Sequence, residues 1–268
     1  MALVLALAVC SAAQSAAPVA ANAAADTNAP RNLPPGFIPP PAGHKFTDGL
    51  ALTYSVEWRL FNAGTATFRM DAAGREQRVV ATADAAGVVA MLYHVQDRFE
   101  SFFDPTSFCS RSVKKHTEEG FRKLDTSITF DYQRKKSVLN ERNLKNDKSK
   151  QQENDIPECV TDVVSAVYYV ASLPLTAGAV QLFPINDGGK TLDAKATVEA
   201  REEVTTPAGR FKTVRVQITS DSKSIKNRGQ IWIWYTDNAA RTPVQMKSRL
   251  FWGNLTFRLQ RAELPQAK

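Results

Sequence analysis

Histidine and cysteine are scarce in this 268-residue chain, with three of each, and their scarcity removes most familiar chemistry. The sequence holds no Gly-x-Ser-x-Gly elbow, no phosphate-binding glycine loop, no His-Glu-x-x-His pair and no Cys-x-x-Cys pair. His44 falls in a proline-rich stretch, which leaves His94 and His116. No serine stands in a nucleophile context, so a hydrolase is the third-ranked reading. No catalytic residue, metal ligand or cofactor is expected. His116 with Glu118 and Glu119 has the composition of a metal site, but the three fall at the tip of an expected hairpin, where exposed polar residues are ordinary. Long apolar runs are also missing. The run Met1–Val9 is far short of the roughly 20 residues that span a bilayer, and no later stretch approaches that length.

That first run has another reading. Nine uncharged apolar residues followed by the small-residue stretch Cys10–Ala25 have the pattern of an export signal. Three outcomes are open: cleavage after Ser11-Ala12-Ala13 or Ala23-Ala24-Ala25, lipid attachment at Cys10 after Leu7-Ala8-Val9, or a retained anchor. The expected location is exported and periplasmic, with a lipid tether through Cys10 as a variant. Residues 26–45 carry six prolines and little apolar periodicity, so an extended, disordered linker is expected. One β-rich domain should occupy 46–264, with a short tail at 265–268.

The charge of +7 is unevenly placed. Arg111 to Lys150 holds twelve Lys/Arg against six Asp/Glu. Long solvated strands with a mobile loop over Asn143–Asp155 account for this simply. The sharper reading is attraction to an anionic envelope surface or an acidic glycan. No recognition motif accompanies the charge, so nucleic acid is not an expected partner. If Cys10 leaves with the signal or is lipidated, Cys109 and Cys159 remain, an even count for an oxidising compartment. A bridge between them is expected; two unpaired buried thiols are the alternative.

From Thr47 onward the dominant period is 2. Leu50, Leu52, Tyr54, Val56, Trp58 and Leu60 alternate with polar or small residues. Further strands are expected at Ala66–Met70, Gln77–Ala83, Val95–Phe103, Phe108–Thr117, Phe121–Tyr132 and Ser137–Leu144. The series resumes at Val180–Ile185, Thr191–Val204, Phe211–Asp221, Gln230–Thr236, Val244–Trp252 and Leu255–Glu263, with glycine turns between. One segment breaks the period: Val160, Val163, Val164, Val167, Tyr168 and Ala171 recur at helical spacing. A helix over Val160–Ser172 follows, with Val164 and Tyr168 facing the concave side of the sheet and Ser165 off the stripe. The fold class is mainly β: a single curled antiparallel barrel or half-barrel of about twelve strands with one main helix.

The aromatic residues suggest where a ligand would sit. Trp232 and Trp234 share one face of a strand whose other face is also apolar, so the strand is either covered on both sides or lines a pocket. Trp58, Phe68, Tyr168 and Trp252 join them as candidate ligand contacts. Asp97, Arg98 and Glu100, interleaved with apolar residues, fit an exposed face with cross-strand ion pairs.

Several segments together resemble the bacterial exported family of domain of unknown function 3108. They are Asp48-Gly49-Leu50-Ala51-Leu52-Thr53-Tyr54, Asn62-Ala63-Gly64, Asp162 with Ser165-Ala166-Val167-Tyr168-Tyr169, and Leu173-Pro174-Leu175 before Gly178. Pro207-Ala208-Gly209-Arg210-Phe211, Trp234 with Asp237, Arg241-Thr242-Pro243-Val244 and Gly253 to Leu259 complete the series. The resemblance covers about Lys45 to Glu263. It implies a curled β-barrel or half-barrel with a helix, akin to lipoprotein-type envelope folds that carry or bind lipids, and no catalytic residues. The leading expectation is non-enzymatic binding of a lipid-like or amphipathic envelope molecule inside the curled sheet. The alternative is a module that docks an envelope partner through a sheet edge or the basic hairpin. A cavity lined by Trp and Phe favours the first; a filled core with an exposed apolar patch favours the second.

Overall fold

The computed structural model describes residues 33, 37–41, 44–59, 61–220, 230–250 and 253–264. Cys10, the export-signal segment and Trp252 lie outside the described residues. The alternating sequence builds β1 (Ala51–Trp58), β2 (Phe61–Ala73), β3 (Glu76–Ala85), β4 (Val95–Phe103), β5 (Ser110–Glu119), β6 (Arg122–Asp131), β7 (Lys136–Asn143) and β8 (Ser149–Asp155). The second half adds β9 (Thr161–Asp162), β10 (Val180–Asp187), β11 (Lys190–Thr206), β12 (Gly209–Ser220), β13 (Gln230–Thr236), β14 (Pro243–Leu250) and β15 (Gly253–Glu263). Two helices interrupt them, α1 (Gly87–Leu92) and α2 (Ser165–Ser172).

The fifteen strands form one sheet in the order β8-β7-β6-β5-β4-β3-β2-β1-β15-β14-β13-β12-β11-β10-β9. Pairing is antiparallel between sequence neighbours, except that β9 runs parallel to β10 and that β1 pairs with β15. The β1–β15 ladder, with Leu52 opposite Ala262 and Val56 opposite Phe257, sews the two halves of the chain together. The open edges are therefore β8 and β9, which are consecutive in sequence. The fold is the expected curled, mainly β architecture, but the sheet is open and has fifteen strands rather than about twelve.

The extra strands carry weak side-chain signals. β8 (Ser-Lys-Gln-Gln-Glu-Asn-Asp) falls within the expected mobile loop Asn143–Asp155. It is a strand because its backbone pairs with β7 from Lys136–Asp155 to Arg142–Ser149, and an edge strand needs no apolar face to do so. β9 takes residues from the expected helix. Thr161 pairs with Ile185, and the Asp162 carboxylate accepts the N–H groups of Val164 (2.9 Å) and Ser165 (3.1 Å). That side-chain cap starts α2 at Ser165 and not at Val160. α1 is an unexpected helix in the β3–β4 connection.

α2 sits against the inner face of the sheet. Tyr235 on β13 donates its hydroxyl to Val167 O at 2.7 Å. Ser165, Tyr169 and Val170 are the most deeply buried helix residues, Val164 and Ala166 are buried, and Tyr168 is half-buried. Ser165 was expected off the stripe; the later helix start and its bond to Asp162 turn it inward. Around Tyr169 the core is aromatic: Phe37 stacks on it at 4.6 Å, Phe183 lies at 5.1 Å and Phe108 meets it edge-on at 5.7 Å. Phe103 and Phe46 extend the cluster. Phe37 belongs to the segment expected to be a disordered linker. It is 6% exposed, and Ile38 N–H reaches the Tyr169 hydroxyl at 3.3 Å. Burial of the Phe37 ring contributes about 2–3 kcal/mol, which offsets the cost of ordering one or two residues.

Candidate functional site

Two clamps hold the β9 edge over β5. Cys109, just before β5, and Cys159, just before β9, form a fully buried disulfide with Cα atoms 5.0 Å apart. Beside it Asp162 makes a polar knot. Its Oδ2 accepts hydroxyl bonds from Ser101 and Ser110, each 2.6 Å, and from Ser165, 2.8 Å, while Oδ1 takes the two helix N–H groups. The buried carboxylate is thus met by five neutral donors, which offsets its desolvation. Ser110 N–H also bonds Val160 O at 2.8 Å. Three serines beside an aspartate invite comparison with a hydrolytic site. All four residues are shut off from solvent and each hydroxyl is committed to the carboxylate, so the knot closes the curl and presents no nucleophile.

The aromatic residues singled out from sequence do not converge. Phe68 is buried edge-on to Tyr54 at 5.7 Å. Tyr168 lies near Tyr54 and Tyr235, and burial raises the hydroxyl pKa of all three. Trp58 is half-buried at the end of β1, with the Arg59 guanidinium 5.4 Å from its ring centre. Trp232 and Trp234 point away from α2, opposite in direction to Tyr235. Arg249 covers the Trp232 ring at 5.4 Å. Trp234 donates its indole N–H to Glu202 at 2.6 Å under the far half of the β11–β12 hairpin. That hairpin bends across the outer face to β15, where Ala208 N–H bonds Leu259 O at 3.0 Å and Arg258 bonds Thr205 O at 2.7 Å. Both faces of β13 are covered, which accounts for its double apolar pattern.

Asp97 departs from its expected exposed face. Residues of β4 alternate so that Asp97 points inward with Val95, Phe99 and Ser101, while Arg98 and Glu100 point outward. Asp97 is 2% exposed and Glu119, diagonal to it on β5, is 6% exposed. Burial first, and then the Glu119 carboxylate, push the Asp97 carboxyl up to about 7. The Glu118 N–H donates to Asp97 Oδ1 at 3.1 Å. Asp97 therefore keeps its proton well above the pH at which an ordinary carboxyl loses it. His116 is outward, with Nδ1 2.7 Å from Asp125 and Nε2 3.3 Å from Glu118, so Glu119 does not join it. Among the described residues no group of three or more His, Cys, Asp or Glu is placed to hold a metal ion.

Directly above the acid pair the turns β3–β4, β5–β6 and β7–β8 meet at one end of the sheet. Here large apolar side chains face solvent: Val88 is 70% exposed, Met91 86%, Leu92 80% and Phe121 90%. Tyr93 and Leu144 are partly exposed beside them. The turns are physically joined. Gly120 N–H bonds His94 O at 2.8 Å, and Leu144 N–H bonds Lys123 O at 2.9 Å. The Tyr93 ring lies over Gly120 so closely that a Cβ there would sit 2.7 Å from it. Lys145 covers the Phe121 ring at 5.1 Å. Val89 is buried and anchors α1, whose start is tied to β2 by Ala86 N–H to Ala63 O at 3.0 Å. Arg122, Lys145 and Lys148 make no ion pair with a described residue, so the collar around the apolar tips is cationic. Sequence reading missed this rim; its trace is the unalternated run Gly87-Val88-Val89-Ala90-Met91-Leu92 between two strands.

An open curled sheet with a helix on its inner face defines the class as β-barrel-like. A β-barrel-like protein of domain of unknown function DUF1849 from Brucella abortus shares this fold, with a TM-score of 0.54 at 8% identity over 82% of this chain and 99% of that one. A Bacteroides fragilis protein described as exported, with a YmcC-like fold, aligns at a TM-score of 0.36 and 10% identity over 81% and 96%. A lipoprotein-described chain from Parabacteroides distasonis gives 0.31 and 12% over 81% and 96%. No curated protein matches the chain. Residues 53–260 match the model of the protein family of unknown function DUF3108, and the chain belongs to that family.

Proposed function

We propose that this is a non-enzymatic envelope protein that docks peripherally on an anionic membrane surface through the rim formed by α1, Phe121 and the β7–β8 turn. One observation carries the reading: four strongly exposed, large apolar side chains stand together at one end of the sheet, beside Arg122, Lys145 and Lys148, which make no ion pair with a described residue. Isolated exposed apolar residues are ordinary, but a joined group with a basic collar has the composition of an interfacial anchor. Among the described residues no helix is long and apolar enough to cross a membrane; the proposed mode is docking by side-chain insertion and charge. The export-signal pattern at Met1–Val9 is consistent with an envelope site. The concave face under α2 is filled by Tyr169, Phe37, Phe108 and Phe183, so an apolar molecule enclosed beside the helix lacks support.

Co-sedimentation with phosphatidylglycerol-containing vesicles tests the reading. Binding should weaken with added salt, and Met91→Ser with Leu92→Ser should abolish most of it. Arg122→Gln or Lys145→Gln should each cost about 1 kcal/mol, roughly fivefold in partitioning. Equal binding to purely phosphatidylcholine vesicles, or unchanged binding by the rim variants, would refute it.

A further inference from the structure

The outer face of β4–β8 carries a broad open depression of about 760 Å³. Its floor is made by two outward rows of the ladder. Arg98, His116, Asp125, Arg142 and Ser149 lie in register across the five strands. The neighbouring row is Glu100, Lys114, Ser127, Asn140 and Gln151. At the usual spacing, five strands extend about 19 Å from first to last, so the trough is elongated.

Its charges are divided in a telling way. The acids at the β4–β6 end are engaged: Glu100 bonds Arg78 at 3.2 Å and Asp125 holds His116 at 2.7 Å. Arg98 and Lys114 make no ion pair with a described residue. Toward β8, Arg142 bonds Asp147 at 2.6 Å, while Glu141 and Lys150 belong to the alternate, inward row with Lys115. Between and beyond these lie Ser127, Asn140, Ser149 and Gln151, each able to donate and accept. Among the described residues no Phe, Tyr or Trp lines the depression, so apolar contact contributes little there.

We infer that this trough binds a short acidic oligosaccharide, with its anionic group on Arg98 and Lys114 and its hydroxyls along Ser127, Asn140 and Gln151. A volume within the usual range for small-ligand sites, two cations with no ion pair to a described residue at one end, and the neutral bifunctional groups Ser127, Asn140, Ser149 and Gln151 match such a ligand. A bare anion would use one end of the trough, and an apolar molecule would leave its polar groups unmet. The Asp125 and Glu118 carboxylates raise the His116 pKa, so His116 adds positive charge to the anionic end as pH falls. The inference does not depend on membrane docking, since the trough lies on the sheet face and not on the rim.

The test uses the full chain and soluble probes, followed by amide chemical-shift perturbation. Sialyllactose supplies a trisaccharide with one carboxylate; lactose is its neutral part and acetate its charge alone. Sialyllactose should bind saturably, at least about tenfold tighter than either control, and should shift the amides of Lys114, Ser127 and Asn140. Arg98→Gln with Lys114→Gln should weaken it about tenfold with unchanged melting temperature. Asn140→Ala should weaken sialyllactose more than acetate. Met91→Ser with Leu92→Ser should leave it unchanged, which separates this site from the rim. Equal affinity for acetate and sialyllactose, no saturable binding, or full binding by the double variant would each overturn the inference.

Discussion

At the scale of the residue, two buried acids behave in opposite ways. Asp162 is ringed by donors and belongs to the scaffold; Asp97 faces another carboxylate. The raised pKa of Asp97, about 7 against the usual carboxyl near 3.9, fixes the sign of its linkage. The protonated Asp97 carboxyl stabilises the fold fully below the ordinary carboxyl pKa, and that stabilisation is lost as pH rises through about 7. Asp97→Asn should therefore raise stability at about pH 8 by on the order of 2 kcal/mol and flatten the decline between about pH 4 and pH 7. Urea melts across that range check it; an unchanged slope would mean that Asp97 does not hold its proton there. At the knot, Ser165→Ala removes one donor from a buried carboxylate and should cost about 1–3 kcal/mol. Val164→Ala should cost a similar 1–3 kcal/mol by leaving a cavity. Ordinary helical periodicity ranks Val164 far above Ser165, because it registers apolar stripes and is blind to a hydroxyl that satisfies a distant acid.

At the scale of the element, legibility followed side-chain chemistry. β1, β4 and β13 were readable because burial of one or both faces imposes an apolar pattern. β8 was not, since backbone pairing at a sheet edge asks little of its side chains. α2 was readable as a helix but not in its first turn, where Asp162 and the Thr161–Ile185 pairing decide the start. α2 also holds the chain N-terminal to the sheet in place, through Tyr169 and Phe37. Tyr169→Ala should cost about 3–5 kcal/mol and make the segment around Phe37–Pro41 cleavable by protease before the sheet unfolds. Simultaneous cleavage and unfolding would show that the segment is held by something besides that stack.

At the scale of the whole molecule, one long sheet is held in a curl by few connections. The β1–β15 ladder joins the chain's two halves, and the disulfide with the Asp162 knot fastens the free β9 edge to β5. Replacing both Cys109 and Cys159 with Ala should lower stability by about 2–4 kcal/mol, as for loss of a native cross-link. Hydrogen exchange should quicken first at β9 and the start of β5, where Ser110 bonds Val160. Uniform acceleration over the sheet would mean that the curl does not open locally.

The sequence by itself determined the β class, the alternation of faces, the presence of a single buried helix, the cysteine pair and the family resemblance. These depend on local periodicity, turn residues and composition, which are written along the chain. Tertiary structure alone decided which faces are inside. It turned Trp232 and Trp234 outward beneath a folded-back hairpin, buried Asp97 beside Glu119, and brought Met91, Leu92, Phe121 and Lys145 to one rim. Those groupings arise from the ladder order and the curl, which join residues far apart in the chain by backbone hydrogen bonds. Backbone groups are nearly the same in every residue, so their pairing leaves only a faint mark on the sequence.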